Sequence, residues 1–397
     1  MRKINDLLLE LCPNGVQFLR VDQVCVRRSG LPLTAGEMKV LNTAGGDVRI
    51  FAGGKTFADV KSESLEGKYI VGPGLIVKSR GIIDFEFWLG RYSHKNELWS
   101  YQPKNEVVNL KFLYYFLKTK VLEVQLIAKA NSVKMPQIKV GDIDGMFIPV
   151  PPLEIQNEIV RVLDTFTELE AELEAELDVR KTQYEFYRES LFNAHISTQK
   201  SLDSVASIWR GRRFVKDDIR SEGTPAIHYG EIYTKYGLAA TETYSFLDPE
   251  LASRLRFVSP GDVVLVSAGE TIEDIGKSFT WLGEGDAVIH DACYGIRSSE
   301  IDPRYMVHFF NTHNFRSQLR KYISSSKISA ISTEKLGKVF IPVPSPEEQK
   351  EIADVLDSID CLVSDLSVGL PGEIDARRQQ YEYYRGKLLT FKELEVA

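Results

Sequence analysis

The sequence predicts an α+β protein. Two mixed α/β domains are separated by two long helices that pack as an antiparallel coiled coil, and the halves form a pseudo-two-fold internal repeat. The first observation is a duplication: IPVPPLEIQNEIVRVLDTF at 148–166 returns as IPVPSPEEQKEIADVLDSI at 341–359, and TQYEFYRESLF at 182–192 returns as QQYEYYRGKLL at 379–389. The copies lie 193 and 197 residues apart, far beyond the period of roughly 20–50 residues that is typical of solenoids. The second and third observations are a heptad-like seam in each repeat and strand-like runs before it.

These repeats divide the chain into four segments. We expect an N-terminal segment and first mixed domain at 1–147, a central helix at 148–198, a second mixed domain at 199–340 and a C-terminal helix at 341–397. A length of 397 residues is consistent with two to three domains.

The mixed domains show strand and helix patterns in the same order. A short amphipathic helix opens the chain, with its apolar residues at Ile4, Leu7, Leu8 and Leu11. The runs YIVGPGLIVKSRG (69–81) and FVSPGDVVLVSAGE (257–270) are bounded by Gly and Pro and rich in β-branched residues, which predicts strands. A helical pattern follows in each half, at 109–126 and, displaced by 193 residues, at 302–319.

The repeated segments predict long helices. Ser345, Pro346 and Glu348 supply the N-cap, N1 and N3 residues of a capping box, and we expect Pro371 to kink the second helix. Apolar residues step by three and four, which indicates a coiled-coil seam, and the separation of the helices by a globular domain favours antiparallel packing. We predict that the residues of helix seam and partner docking are Ile159, Val162, Phe166, Leu173, Leu177, Tyr184, Tyr187, Ile352, Val355, Ile359, Tyr381 and Tyr384.

Composition excludes several classes of protein. No run approaches 18 apolar residues, so no membrane span is expected, and the N-terminus lacks the pattern of a secretory signal. The four cysteines are scattered without a CxxC pair, which argues against structural disulfides and a zinc site and favours a cytoplasmic protein.

Charge is unevenly distributed. The overall net charge is −7, yet 1–147 holds 21 basic against 15 acidic residues. The repeated segments hold 5 against 11 (148–200) and 6 against 12 (341–397), while 201–340 is nearly balanced with 17 against 18. A polyanion would therefore meet the mixed domains rather than the helices.

Catalytic motifs are absent from the sequence pattern. Gly53-Gly54-Lys55-Thr56 resembles the end of a phosphate-binding loop, but the required earlier glycine is Arg49, so a turn with an exposed lysine is the better interpretation. No GxGxxG fingerprint and no Ser/His/Asp order stand out. Asp84 and Glu86 suit a strand better than a nuclease centre.

Basic residues recur at corresponding places in both halves, which favours contacts to phosphates and base edges over solvated surface charge. Arg28 follows the first strand-like run, and the WRGRR sequence at 209–213 follows the corresponding run in the second half. We predict DNA contacts at Arg28, Lys55, Lys78, Arg80, Lys134, Arg210, Arg212, Arg213 and Lys327.

Two variable regions, each followed by an IPVPxxxxQxxI helix and a QYExYR segment, resemble the specificity subunit of type I restriction-modification enzymes. The resemblance covers essentially the whole chain. It implies two target-recognition domains that each read one half of a bipartite asymmetric DNA sequence, and helices that set the spacer and dock partners.

The resemblance further implies a chain that is not an enzyme and holds no cofactor or metal. S-adenosylmethionine, ATP and Mg would belong to partner subunits. The implied partners are double-stranded DNA, two modification (methyltransferase) subunits and restriction/translocase subunits, with no membrane. The alternative is a stand-alone DNA-binding or scaffold protein of the same architecture. The EAEL units at 170–173 and 174–177 would each add about 6 Å of helix, so we expect them to set the spacer.

Overall fold

A computed structural model describes residues 2–131, 134–325, 329–365 and 369–394 of the chain. The chain divides into two compact units: unit 1 comprises Met1–Glu172 and Ile374–Ala397, and unit 2 comprises Leu173–Glu373. Helices make up 44% of the structure and strands 25%, and the predicted α+β class is confirmed. Within the described part of the chain, no helix combines the length and the apolar character needed to cross a bilayer.

Unit 1 is built on one large sheet. Its strands are β1 (Phe18–Arg20), β2 (Cys25–Ser29), β3 (Val48–Phe51), β4 (Phe57–Val60), β5 (Ile70–Lys78), β6 (Asp84–His94), β7 (Trp99–Pro103) and β8 (Phe147–Pro149). The six-stranded sheet has the order β2-β7-β5-β6-β3-β4. The β3–β6 pair is parallel and the others are antiparallel. β1 and β8 form a separate antiparallel pair.

The helices of unit 1 cover this sheet. They are α1 (Arg2–Leu11), α2 (Val21–Val24), α3 (Ala35–Leu41), α4 (Leu110–Thr119), α5 (Val121–Asn131), α6 (Val140–Asp144) and α7 (Leu153–Ala194), with a 3₁₀ turn at Ser62–Leu65; α7 passes into unit 2 at Leu173. Leu75 and Val77 of β5 and Phe112 of α4 share one buried core with Ile159 of α7. Ile4 of the predicted N-terminal helix is buried in the same core, whereas Leu11 at the end of that helix is exposed.

Unit 2 distributes its strands over several smaller sheets. The strands are β9 (Gln199–Ser201), β10 (Ser207–Arg210), β11 (Thr224–Ile227), β12 (Ala239–Ala240), β13 (Ser245–Leu247), β14 (Phe257–Val258), β15 (Val263–Val266), β16 (Ala268–Gly269), β17 (Ser278–Trp281), β18 (Ala287–Ile289), β19 (Cys293–Arg297), β20 (Ser324–Ser325), β21 (Ser329–Ala330) and β22 (Phe340–Pro342). The sheet orders are β10-β19-β15-β17-β12, β13-β11-β18-β14, β16-β21-β20 and β22-β9. The β11–β18 and β12–β17 pairs are parallel.

Aromatic side chains of α7 and α11 meet in the core of unit 2. Its helices are α8 (Leu202–Val205), α9 (Tyr229–Ile232), α10 (Pro249–Ala252), α11 (Pro303–Phe310), α12 (His313–Arg320), α13 (Thr333–Gly337), α14 (Pro346–Ser364) and α15 (Leu370–Leu388), with 3₁₀ turns at Ile196–Thr198 and Lys216–Asp218; α15 passes into unit 1 at Ile374. The ring of Phe192 near the end of α7 lies 4.7 Å from that of Tyr305 and 5.5 Å from that of Phe309, both on α11. The end of α7 is therefore anchored by packing to the second mixed domain.

The glutamine of the IPVPxxxxQ motif has a structural role in each unit. The Gln156 side chain accepts from Asn109 N (2.7 Å) and donates to the carbonyls of Val107 (2.9 Å) and Pro151 (2.7 Å). Gln349 repeats this pattern with Asp302 N (2.8 Å) and the carbonyls of Glu300 and Pro344 (3.0 Å each). The relative exposures of the two glutamines are 0% and 1%. Each one joins the start of a repeated helix to the start of α4 or α11.

A repeated aspartate makes a second connection between the same elements. Asp164 on α7 accepts hydrogen bonds from Lys111 Nζ (2.7 Å) and Tyr115 Oη (2.6 Å) on α4. At the position 193 residues later, Asp357 on α14 pairs with Arg304 Nη1 (2.8 Å) and His308 Nε2 (2.7 Å) on α11. The recurring carboxylate thus keeps a basic partner and a ring partner although both partners differ in type.

The repeated helices pack against each other within unit 1 in an antiparallel sense. Phe166 of α7 stacks on Tyr384 of α15 with ring centroids 5.5 Å apart, and four residues further along α7 Glu170 pairs with Arg378 at 2.6 Å. Later residues of α7 therefore contact earlier residues of α15, so the two helices run in opposite directions. Of the other predicted seam residues in unit 1, Ile159 is buried, and Val162, Tyr381 and Tyr384 are partly buried against the same core.

In unit 2 the residues predicted for helix seam and partner docking differ in burial. Tyr184 and Ile352 are buried in one cluster, Leu177 and Ile359 pack against it, and Leu173 is partly buried. Tyr187 and Val355, in contrast, are 51% and 52% exposed. The inward face of α7 steps by seven residues from Leu177 through Tyr184 to Leu191, and Tyr187 falls outside it. On α14 the buried face follows Ala353 and Leu356 because this helix also packs on α11.

The second repeated segment is not one kinked helix but two helices. The capping box at Ser345 and Glu348 is present as predicted, and α14 ends at Ser364. Pro371 is the second residue of α15 rather than an interior kink, which is the place where proline is tolerated. Gly369 precedes it in a crowded position, since a Cβ there would lie 2.5 Å from the carbonyl oxygen of Cys361.

Candidate nucleic-acid interface

Equivalent strands carry the predicted arginines in the two units. β2 follows β1 and α2, and β10 follows β9 and α8, so the order of elements is the same. β2 pairs with β7 and β10 pairs with β19, both antiparallel. The sequence correspondence between Arg28 and the WRGRR segment is thus a correspondence of position in the fold.

In unit 1 the two arginines of β2 have different environments. Arg27 Nη1 forms an ion pair with Asp144 Oδ2 at 2.5 Å, and Asp144 also accepts from Tyr101 Oη at 2.5 Å. The exposed Arg28 donates from Nε to Gln102 Oε1 at 2.9 Å. Gln102 in turn donates to the carbonyl of Val71 at 3.2 Å. Arg28 is therefore oriented at the surface by a neutral side chain that leaves its charge uncompensated, as phosphate or base contact requires.

The remaining basic residues predicted in unit 1 differ in availability. Lys55 is exposed in the turn between β3 and β4, where Gly54 has a φ of 64°, so the predicted turn is present. Arg80 and Lys134 are also exposed. Lys78 is 7% exposed, pairs with Glu86 Oε2 at 2.5 Å and donates to the carbonyl of Gly54. Its charge stabilises the sheet instead, and we remove it from the candidate interface.

In unit 2 the arginine segment leaves β10 along the connection between β18 and β19. Gly211 approaches this connection so closely that a Cβ would lie 2.2 Å from the carbonyl oxygen of His290. Arg210 Nε donates to the carbonyl of Asp291 at 2.7 Å, and Arg212 Nη1 donates to that of Arg254 at 2.6 Å. The side chains of Arg210, Arg212 and Arg213 are exposed. Backbone carbonyls orient the first two guanidinium groups, and Arg210 Nη2 also forms an ion pair with Asp291 Oδ2 at 3.6 Å.

A cluster of rings beside this segment escaped the sequence analysis. The His290 ring lies 5.0 Å from those of His228 and Phe214 and 5.1 Å from that of Tyr229. His228, Tyr229 and His290 are each partly exposed. The only signal in the sequence was the pair HY at 228–229, which is too short to indicate a site. Partly exposed rings next to arginines are a combination that suits stacking on bases.

Burial disfavours the charged form of both histidines in this cluster. Burial, as the largest cause, lowers the pKa of His228, and Lys216 lowers it further against the opposing effect of Glu231. Burial likewise lowers the pKa of His290, the charge of Asp291 opposes this effect, and the charges of His228 and Arg213 add to it. His290 Nε2 lies 3.1 Å from the carbonyl of Phe214, and its Nδ1 accepts from Ala292 N at 3.1 Å. His290 Nδ1 also lies 3.2 Å from Asp291 Oδ1, so both ring nitrogens make polar contacts.

The prediction for Lys327 lies outside the described residues. In the ranges that the structure describes, no cluster of three or more His, Cys, Asp or Glu side chains could hold a metal ion.

Comparison with known proteins agrees with the duplicated architecture. The family described as type I restriction modification DNA specificity domain matches residues 13–179 and again residues 197–376. The matches cover most of the chain, and the chain belongs to this family.

Two relatives that are named as specificity subunits agree with this family assignment. The chain is 28% identical over 304 residues to the type I restriction enzyme EcoR124I/EcoR124II specificity subunit of Escherichia coli, with 72% of each chain covered. It is 27% identical over 321 residues to a putative type I restriction enzyme specificity subunit of Haemophilus influenzae, with 77% of each covered.

A solved structure shares the fold. The type I restriction-modification S subunit from M. genitalium has a TM-score of 0.59 at 15% identity, covering 95% of this chain and 97% of that chain. Together these comparisons confirm the predicted family and the role of DNA-recognition subunit, and they favour it over a stand-alone DNA-binding or scaffold protein.

Proposed function

We propose that each unit reads one part of a bipartite, asymmetric DNA target. The observation that carries this proposal is the pair of equivalent strands β2 and β10, each of which presents exposed arginines from a differently built sheet. Arg28 and Lys55, with Arg80 and Lys134, form the proposed surface of unit 1. Arg210, Arg212 and Arg213, with the ring cluster around His290, form that of unit 2. Because the sheets differ, the two parts of the target differ.

In the proposed complex, arginine, lysine and aromatic side chains would make different kinds of contact with DNA. Arginine suits the O6 and N7 acceptors of guanine and the phosphate oxygens, whereas lysine contributes charge to the backbone contacts. The rings of His228, Tyr229 and His290 would contribute hydrogen bonds and stacking in unit 2. Unit 1 would therefore depend more on its four exposed cations, and unit 2 more on shape and ring contacts.

The proposal assigns no reaction to this chain. Methyl transfer and DNA cleavage would belong to two modification subunits and to restriction subunits, which would also hold S-adenosylmethionine, ATP and Mg. Strongly acidic helices support such a division, because the repeated segments repel DNA and offer charge to protein partners.

The EAEL units are proposed to set the length of the unread spacer. They lie inside α7, which runs as one helix from Leu153 to Ala194. A continuous helix has a rise of about 1.5 Å per residue, so its length changes in defined steps when four-residue units are added or removed.

Sequencing of methylated DNA tests the function directly. The full chain is expressed with a modification subunit in a host that lacks other adenine and cytosine methylation, and modified sites are mapped over the genome. We expect one bipartite motif with a constant spacer. Modification without a common motif, or a single uninterrupted motif, would contradict two-part reading.

A further inference from the structure

A cleft in unit 2 combines positive charge with an exposed aromatic ring. It lies between the second half of α7 and the start of α12 and has a volume of about 480 Å³. Arg188 and Arg316 line it together with Phe186, Asn311 and His313. The Phe186 side chain is 68% exposed, and its ring lies 5.9 Å from the ring of the exposed Tyr187.

Neither arginine of the cleft has a carboxylate partner within ion-pair distance among the described residues. Arg188 lies over the ring of Tyr184 at 4.9 Å, and its buried Nε lacks a hydrogen-bond partner. Arg316 Nη1 donates to the carbonyl of Ile275 at 2.6 Å. Burial lowers the pKa of Arg316, and the like charges of Arg188 and Arg320 lower it further. Two partly buried guanidinium groups thus repel each other without compensation.

Two glutamates in the lining do not neutralise this charge. Glu189 accepts the backbone N–H of His313, the first residue of α12. Glu185 is exposed and makes no ion pair with either arginine in the described structure. Burial raises the pKa of Asp360 on α14, and the charge of Arg188 opposes that rise. The two side chains nevertheless lie beyond ion-pair distance. An external carboxylate would therefore relieve a repulsion that the unit itself leaves in place.

The internal repeat supplies a comparison. The counterpart of Phe186 in unit 1 is Tyr383, which is 61% exposed. Arg385, the counterpart of Arg188, lies 5.3 Å over Tyr381 and also has an unpartnered Nε, but it pairs with Glu382. The counterpart of Arg316 is Glu123, which pairs with Lys120. The exposed ring is duplicated, whereas the counterparts of Arg188 and Arg316 in unit 1 are both in ion pairs.

We propose that this cleft binds an acidic side chain of a modification subunit, with Phe186 as the apolar contact beside it. The inference rests on the proposed function, because it takes the partner from there. The positive charge of the cleft selects an anionic group, and we assign it to a carboxylate because the size of the cleft suits one Asp or Glu side chain with its neighbouring backbone. Because the charge is not duplicated, the cleft makes docking on unit 2 different from docking on unit 1.

The test uses the full chain purified with its modification subunit. Arg316→Glu reverses the proposed charge, and Phe186→Ala removes the ring without touching the core. Arg316→Lys keeps the charge, and Lys335→Glu makes the same charge reversal at an exposed residue outside the cleft. Thermal unfolding of each variant checks folding. We expect Arg316→Glu and Phe186→Ala to weaken binding by at least about tenfold, Arg316→Lys to retain most of it, and Lys335→Glu to change it less than about twofold.

Native mass spectrometry then distinguishes the possible failures. With the wild-type chain we expect two modification subunits, and with Arg316→Glu one. If the wild type binds two and both cleft variants also bind two with unchanged affinity, the cleft is not a docking site. If Lys335→Glu weakens binding as much as Arg316→Glu, net charge rather than the cleft explains the effect, and the inference is overturned. If the wild-type chain binds no modification subunit, the proposed function itself fails.

Discussion

The buried glutamine of unit 2 gives the most direct test of how the repeated motif works. Gln349→Met keeps nearly the same volume but removes three hydrogen bonds, which leaves Asp302 N and the carbonyls of Glu300 and Pro344 without this partner. A buried backbone group that loses its partner costs about 1–3 kcal/mol. Because some of these groups can relax toward water, we expect a local destabilisation of roughly 3–6 kcal/mol.

Hydrogen exchange is the suitable assay, since a chain of two compact units need not unfold in one step. Gln349→Met should reduce amide protection in 346–364 and leave 153–172 unchanged, and Gln156→Met should do the reverse. The exposed Gln183→Met is the matched control. Protection in 346–364 equal to that of the control would refute the structural role of this glutamine.

Three further predictions concern the spacer, the DNA contacts and acid stability. One additional EAEL after Leu177 adds about 6 Å of helix and should lengthen the spacer by about one base pair of roughly 3.4 Å while both half-sites stay unchanged; an unchanged spacer, or altered half-sites, in the methylation map would refute the spacer role. Arg212→Ala should weaken recognition of one part of the target only, by about 1–3 kcal/mol, as measured by binding to sites mutated in either part; equal loss at both parts would contradict its assignment. For Asp357, burial raises the pKa, but the hydrogen bond and charge of His308 and the charge of Arg304 outweigh burial and hold the pKa below its ordinary value. Its stabilising effect is therefore present above the unfolded pKa and is lost as pH falls through the folded value. The cost of Asp357→Asn in thermal unfolding should shrink with falling pH, and a cost that stays constant down to pH 2 would contradict this linkage.

The repeated helices were largely predictable because their signals are local. The capping residues Ser345 and Glu348 follow from hydrogen-bonding groups three residues apart, and the spacing of apolar residues follows from 3.6 residues per turn. The exposure of Tyr187 and Val355 has a different origin. Which side of a helix is buried depends on every element that packs on it, and α14 packs on α11 as well as belonging to the seam.

The candidate interface was predictable only in part. Arg28 and Arg210 could be found because equivalent sequence signals precede them. Lys78 could not be excluded, since its partner Glu86 lies on a neighbouring strand whose register sets the contact. The rings of His228 and His290 stand 62 positions apart in the sequence, and their proximity depends on the parallel pairing of β11 with β18.

The sequence by itself determined the duplication, the fold class, the family and the distribution of charge, because each of these is written in residue types and spacings along the chain. Tertiary structure decided which arginines stay unpaired, that the motif glutamines are structural, and that the second repeat is two helices. These properties depend on the distance between groups remote in sequence, since a charge is available to a ligand only where no folded neighbour neutralises it.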